Sequence, residues 1–170
     1  FSTHHSLVDL GMLPNDPDFA SHGHMIDAGN GHILHLVQGP PDDEEFKSWG
    51  LPQELREQMR RNLSPDKLQL SEPVGISVGT VWPTFHYMHL QSSDVIDGKQ
   101  EPFMNLRMEE PLSPTRTRMW SWFMVDKAGS PEFKKRSQEC FVRTFGPGGI
   151  FDQDDMENWE DCTRANLGPA

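Results

Sequence analysis

The acidic segment after Gly149 carries the residue best suited to chemistry. It reads IFDQDDMENWEDC over residues 150–162. At 100° per residue on a helix, one face carries Phe151, Asp155, Trp159 and Cys162. The other acidic residues are predicted to point elsewhere: Asp152, Asp154, Glu157, Glu160 and Asp161. Because a carboxylate turned toward an apolar face needs a cation or several donors, Asp155 is predicted to bind a metal ion.

An imidazole near the start of the chain has a similar setting. Residues 2–12 are predicted to be helical, and His5 interrupts an apolar stripe that includes Val8 and Met12. His4 lies off that stripe and is the competing imidazole. A histidine and a carboxylate supply two of the three ligands of a mononuclear iron site, which keeps open positions for oxygen.

The residues alone leave other interpretations open. Asp155 could cap a helix or pair with an arginine such as Arg143, and His5 could be a core histidine bonded to the backbone. The pairs His22/His24 and His32/His35 are treated as surface or strand-edge histidines without a role.

Length and charge narrow the class of protein. The chain has 170 residues, enough for one domain with a core, and a net charge of −11. That charge argues against nucleic acid and anionic membranes as partners. No apolar run approaches the ~20 residues that span a bilayer, and the sequence shows no signal-peptide pattern. With two cysteines and a mean hydropathy of −0.65, a cytoplasmic protein is expected.

Periodicity and turn residues predict an α+β fold. Two short strands, 25–26 and 32–37, are joined by a turn at 29–31. Pro52 opens a helix that Ser64-Pro65 ends. Further strands are predicted within 74–90, with a break at Pro83, and over 103–109 and 116–125. Helices follow from Ser130 and after the glycine-rich run 146–149. This order indicates an antiparallel sheet with helices covering one face.

One stretch closely resembles a known family. Residues 144–159, TFGPGGIFDQDDMENW, resemble the end of the iron site in the large (alpha) subunit of Rieske-type non-haem iron aromatic-ring-hydroxylating dioxygenases. The runs GTVWP (79–83), WSW (120–122) and SPEFK (130–134) agree in order and spacing. The resemblance implies a helix-grip, START-like catalytic domain over residues 1–170, incomplete at both ends.

The same resemblance implies the site residues. The family supplies two ligands from Asp-x-x-His-x4-His, so His5 is expected to be the second histidine, and the first is expected before Phe1. The family's carboxylate ligand corresponds to Asp155, and its aromatic pocket wall to Phe145 and Phe151. Further pocket candidates, chosen by position, are Phe1, His86 and Trp159.

The activity is likewise implied by the resemblance. Both atoms of O2 would be added to an aromatic ring to give a cis-dihydrodiol, with electrons ultimately from NAD(P)H through a reductase and often a ferredoxin. The parent protein is expected to hold a [2Fe-2S] Rieske cluster and to form an α3 or α3β3 oligomer with a small beta subunit. The chain lacks the Cys-x-His and Cys-x2-His pattern of that cluster, so the Rieske domain is absent and the fragment alone is expected to be inactive.

Three alternatives remain from the sequence. A Rieske-type monooxygenase or demethylase would use the same iron site. A non-catalytic helix-grip carrier of apolar ligands would need a cavity and no metal. A zinc hydrolase would need a third ligand and a base in the same place, and the sequence contains no His-Glu-x-x-His motif.

Overall fold

The computed structural model describes residues 5–10, 22–40, 42–93 and 100–168. The helices are α1 His5–Asp9, α2 Gln53–Asn62, α3 Pro65–Ser71, α4 Pro131–Phe145 and α5 Ile150–Asn166, with a short 3₁₀ helix at Ser48–Gly50. The strands are β1 Gly23–Gly29, β2 His32–Gln38, β3 Val74–Val81, β4 Phe85–Ser93, β5 Gln100–Ser113 and β6 Arg116–Met124. None of the described helices combines the length and the apolar character needed to cross a lipid bilayer.

The six strands form one meander in chain order, each antiparallel to the next. The predicted antiparallel α+β fold is therefore confirmed. The turn between β1 and β2 is also where the sequence placed it, because Gly29, Asn30 and Gly31 all have positive φ, at 83°, 54° and 82°. Glycine and asparagine reach that region at the lowest cost, which explains their use here.

The two faces of the sheet differ in what covers them. On β5, Phe103, Asn105 and Arg107 are buried on the face that α4 and α5 cover. The alternating residues Met104 and Met108 point to the other face, as the period of two requires, and Met108 is exposed. Helices α4 and α5, which carry the candidate residues Phe145, Phe151 and Asp155, thus cover one face of the sheet.

The core beneath α4 is an aromatic cluster. Phe103, Cys140 and Phe145 are buried together, and the ring of Phe103 meets those of Phe141 and Phe145 edge-on at 5.9 Å. Helix α4 begins as predicted, since the Ser130 hydroxyl accepts the Phe133 N–H at 3.1 Å. The cluster and the cap together fix how α4 lies on the sheet.

Two helix predictions were incomplete. The Ser64-Pro65 pair was read as the end of a helix, whereas it also begins another, α3, with Ser64 at its N-cap position. The same pair signals both, because proline stops one helix and suits the first turn of the next. Helix α1 ends at Asp9; residues 2–4, 11 and 12 of the predicted helix lie outside the described residues.

Candidate functional site

The turn between α4 and α5 places both helices over strand β5. At Gly149 an added Cβ would lie 2.5 Å from the Thr144 carbonyl oxygen and 2.7 Å from the Phe145 nitrogen. Both contacts are shorter than a side chain tolerates, so the position requires glycine. The close approach brings the first turn of α5 directly against the end of α4.

Arg107 and Asp152 form the ion pair that joins this first turn to the sheet. Arg107 Nη2 donates to both carboxylate oxygens of Asp152, at 2.8 and 2.7 Å. The two side chains are only 8% and 19% exposed. A paired, hydrogen-bonded geometry of this kind is what allows an arginine and a carboxylate to be buried.

The position of Asp152 corrects the sequence analysis, which turned this residue away from the functional face. A helical wheel fixes directions relative to one another, but it does not say which side meets the sheet. Arg107 was missed altogether. Its signal was present: in a strand where Met104, Leu106 and Met108 share one face, Arg107 necessarily points to the other.

Two aromatic rings lie next to the Arg107–Asp152 ion pair. The Arg107 guanidinium lies 4.5 Å from the centre of the Phe145 ring, and that ring contacts Phe151 at 5.3 Å. Phe145 is buried, and Phe151 is half-buried. An open cleft of about 560 Å³ is lined by Arg107, Phe145, Asp152 and neighbouring residues of α4, α5 and β6. The cleft therefore combines one buried ion pair with an apolar wall.

The predicted metal ligands lie on two helices that touch. Asp155 is partly buried in the second turn of α5, and α1 packs against α5. His5 on α1 is 73% exposed, and its Nδ1 lies 3.3 Å from Asp9 Oδ2. In many metal-binding histidines, one ring nitrogen donates a hydrogen bond to a carboxylate, which orients the ring. In His5 this arrangement would leave Nε2 as the nitrogen that binds a metal. The donor chemistry of Asp155 and His5 thus fits a ferrous ion, which prefers imidazole and carboxylate ligands.

Neither helix completes a metal site among the residues with described positions. Within residues 5–10, 22–40, 42–93 and 100–168, no three His, Cys, Asp or Glu side chains converge on one point. Two of the residues singled out from the sequence, His4 and Phe1, lie outside the described ranges.

His86 belongs to the covered face of the sheet. It is the strand neighbour of Arg107 in the β4–β5 register, so the two side chains share a face. Its Nδ1 lies 3.1 Å from Thr80 Oγ1. Its Nε2 is buried without a hydrogen bond, 3.7 Å from Glu109 Oε1. A buried nitrogen without a hydrogen bond is a position where a ligand or water could bind.

Trp159 lies apart from these residues. It is 43% exposed and lines a separate cleft of about 460 Å³ between α5 and the β5–β6 hairpin. Cys162, on the same predicted face, is exposed as well. Of the four residues that the helical wheel assigned to the interior, Phe151 and Asp155 are thus partly buried, and Trp159 and Cys162 are exposed.

The opposite face carries a second polar cluster that the sequence did not predict as a unit. Trp49 stacks on His89 at 5.6 Å, and its indole N–H donates to Ser77 Oγ at 3.0 Å. Burial lowers the pKa of His89 to about 4, and burial also raises the pKa of Tyr87. His86 and His89 are three residues apart on β4 and therefore lie on opposite faces of the strand.

The depressed pKa of His89 predicts an acid-sensitive fold. The ordinary pKa of 6.5 applies to the unfolded chain, so lowering the pH below that value protonates unfolded His89 first and favours unfolding, until the folded form titrates near pH 4. At about pH 5 this effect amounts to about 2 kcal/mol relative to neutral pH. We expect His89→Phe, which keeps a ring against Trp49, to lose that part of the pH dependence. Urea unfolding at both pH values measures it.

A matched control for this prediction is His24→Phe on the exposed side of β1. Its unfolding free energy is expected to keep the wild-type dependence on pH. If His89→Phe follows the same curve as wild type, the buried His89 does not contribute to the acid sensitivity.

The chain resembles known proteins both in structure and in sequence. The chain superimposes on a solved structure of naphthalene 1,2-dioxygenase from Rhodococcus sp., bound to indole, with a TM-score of 0.90 and 36% identity, covering 98% of this chain and 38% of that one. Biphenyl 2,3-dioxygenase subunit alpha of Rhodococcus jostii is 24% identical over 151 residues, covering 88% of this chain and 29% of the relative.

A third relative is named for a different reaction. N,N-dimethyl phenylurea N-demethylase subunit alpha of a Sphingobium species is 25% identical over 150 residues, covering 86% of this chain and 32% of the relative. No model of a protein family matches the chain. The chain thus spans about a third of the length of these proteins.

Proposed function

Because the chain belongs to the alpha subunits of ring-hydroxylating oxygenases, we propose that residues 1–170 form part of a catalytic domain that holds one non-haem ferrous ion. The whole protein is then an aromatic-ring dioxygenase that adds both atoms of O2 to its substrate as a cis-dihydrodiol. The observation that carries this proposal is the position of Asp155. It is partly buried on α5, which packs against α1 and lines the aromatic, charged cleft with other residues such as Asp152.

The metal ligands in this proposal are Asp155 and an imidazole from the first helix. His5 is the imidazole with a described position, His4 is its competitor, and a further ligand comes from outside the described residues. Ferrous iron, when bound, supplies the activation of O2 that the protein's own side chains lack. Asp155 would supply the carboxylate ligand, and the contact between His5 Nδ1 and Asp9 would leave His5 Nε2 for the metal.

The remaining residues shape the substrate cleft. Phe145 and Phe151 supply an apolar wall on which an aromatic ring can stack. His86 presents a ring nitrogen without a hydrogen bond on the same sheet face, near Glu109, and can orient a polar group. Phe1 and Trp159 remain proposed pocket residues; Trp159 contacts a substrate only if the substrate reaches the neighbouring cleft.

The electron supply belongs to the whole protein. We propose that a Rieske [2Fe-2S] cluster outside this chain passes electrons that come from NAD(P)H through a reductase or ferredoxin, within an α3 or α3β3 assembly. The chain's own cysteines take no part in such a cluster, since Cys140 is buried in the aromatic core and Cys162 is exposed on α5.

The second candidate function is an oxygenase of the same family that inserts one oxygen atom or removes an N-methyl group. The likeness to the N-demethylase subunit favours keeping it. The two functions share the iron site and differ in product.

Labelled oxygen separates the two functions. The full-length oxygenase, supplied with its electron donors, naphthalene and ¹⁸O₂, is expected to yield a cis-diol in which both oxygen atoms carry the label. A parallel incubation with an N,N-dimethyl arylamine serves as the comparison. A product with one labelled oxygen, or formaldehyde from the amine as the main product, would favour the monooxygenase or demethylase.

A further inference from the structure

We propose that the Arg107–Asp152 ion pair is a positioning element that sets the direction from which Asp155 reaches the metal. This inference rests on the proposed iron site and adds two residues that bind neither metal nor substrate oxygen. Its basis is the way α5 is held on the sheet.

Helix α5 meets the rest of the described structure through half-buried groups. None of its described side chains is fully buried, and Phe151 is only half-buried where it packs against the aromatic cluster, so the Arg107–Asp152 pair adds a directed contact to the sheet. Asp152 lies in its first turn, where a carboxylate also balances the helix dipole. A single guanidinium nitrogen, Arg107 Nη2, contacts both oxygens of that carboxylate, which restrains its distance from the sheet.

The restraint is transmitted to Asp155 over a short, stiff path. Asp155 follows Asp152 by three residues, which on an α-helix is about 4.5 Å along the axis and within one turn. Because a hydrogen-bonded helix moves as a unit over such a length, a shift of the α5 backbone at Asp152 moves the backbone at Asp155 by a similar amount. Metal ligands lose affinity when the groups that orient them are removed.

The same guanidinium also contacts the substrate wall. Arg107 lies over Phe145 at 4.5 Å, and Phe145 contacts Phe151 in the first turn of α5. The buried Arg107 side chain thus contacts both Asp152, three residues before Asp155, and Phe145, the ring against which a substrate would pack. A change at Arg107 or Asp152 is expected to affect the metal and the substrate together.

The test uses the full-length oxygenase loaded with Fe(II) and treated with nitric oxide, whose paramagnetic resonance spectrum reports ligand geometry. Asp152→Asn removes the charge and keeps the shape. We expect its iron affinity to fall about tenfold, its Fe–NO spectrum to change in rhombicity, and the α5 amides of the metal-free enzyme to exchange hydrogen faster. Glu157→Gln, exposed on the same helix, is the matched control and is expected to match wild type in all three.

A second variant guards against simple unfolding. Asp152→Glu keeps the ion pair but lengthens it by one methylene, so it is expected to keep wild-type amide protection and still shift the Fe–NO spectrum. If Asp152→Asn does not fold, Asp152→Glu decides the question alone.

The outcomes separate this inference from the proposed function. A folded variant at Asp152 with the wild-type spectrum and wild-type iron affinity overturns the positioning role and leaves the iron site in place. A wild-type enzyme that takes up no Fe(II) overturns the proposed function, and this inference with it.

Discussion

Asp155→Ala is expected to remove the mononuclear iron from the full-length oxygenase and to abolish ring oxygenation. The variant loses the one carboxylate donor of the proposed site, and an iron ion held by imidazoles alone has neither the charge nor the geometry of a 2-His-1-carboxylate centre. Metal analysis after gel filtration is expected to fall from about one mononuclear ion per alpha chain to near zero. Product formation is expected to fall at least ~100-fold.

Glu157→Ala provides the control for this loss, since Glu157 is an exposed carboxylate on the same helix. It is expected to keep both iron and activity. Iron retained by Asp155→Ala would exclude Asp155 as a ligand. A wild-type protein that binds an apolar ligand but no iron would favour the carrier, and zinc in place of iron would favour a hydrolase.

The first helix offers a parallel experiment on the imidazole. His5→Ala and His4→Ala, measured for iron in the same way, decide which of the two histidines is the ligand. His5 is exposed and contacts Asp9, so its Nε2 is available for a metal. Loss of iron in one variant alone identifies the ligand.

Phe103→Ala is expected to destabilise the fold by about 3–5 kcal/mol. Phe103 is 2% exposed and meets Phe141 and Phe145 edge-on. Its removal leaves a cavity between β5 and α4 and breaks two aromatic contacts. The free energy of unfolding from urea denaturation measures the loss.

Two variants calibrate that value. Phe103→Leu keeps most of the volume and is expected to lose less stability than the alanine variant. Leu70→Ala on α3, where Leu70 is 73% exposed, is expected to change stability by less than ~0.5 kcal/mol. Equal losses at Phe103 and Leu70 would show that the aromatic cluster does not hold α4 on the sheet.

Local features of the fold were predictable from the sequence, because each depends on neighbouring residues. The positive φ of Gly29, Asn30 and Gly31 is a property of those residue types. The cap at Ser130 depends on its distance from the Phe133 amide, which α-helical geometry fixes. The antiparallel pairing of neighbouring strands was predictable where the connection is short, as between β1 and β2, β3 and β4, and β5 and β6.

Strand β5 shows where prediction stopped. Apolar residues alternate along it, and the period of two places Met104 and Leu106 on one face. Which face the helices would cover was not encoded in the alternation. The covered face proved to be the one with Asn105 and Arg107, because α4 and α5 return over that side of the sheet.

By itself the sequence determined the order of the elements, their local turns and caps, and the presence of a carboxylate in a helix with aromatic neighbours. Only the tertiary structure decided which carboxylate meets the sheet, since Arg107 and Asp152 are 45 residues apart. It also decided that Trp49 stacks on His89 and that Trp159 is exposed. The physical reason is that periodicity fixes angles within one element, whereas burial and ion pairing depend on how separate elements pack.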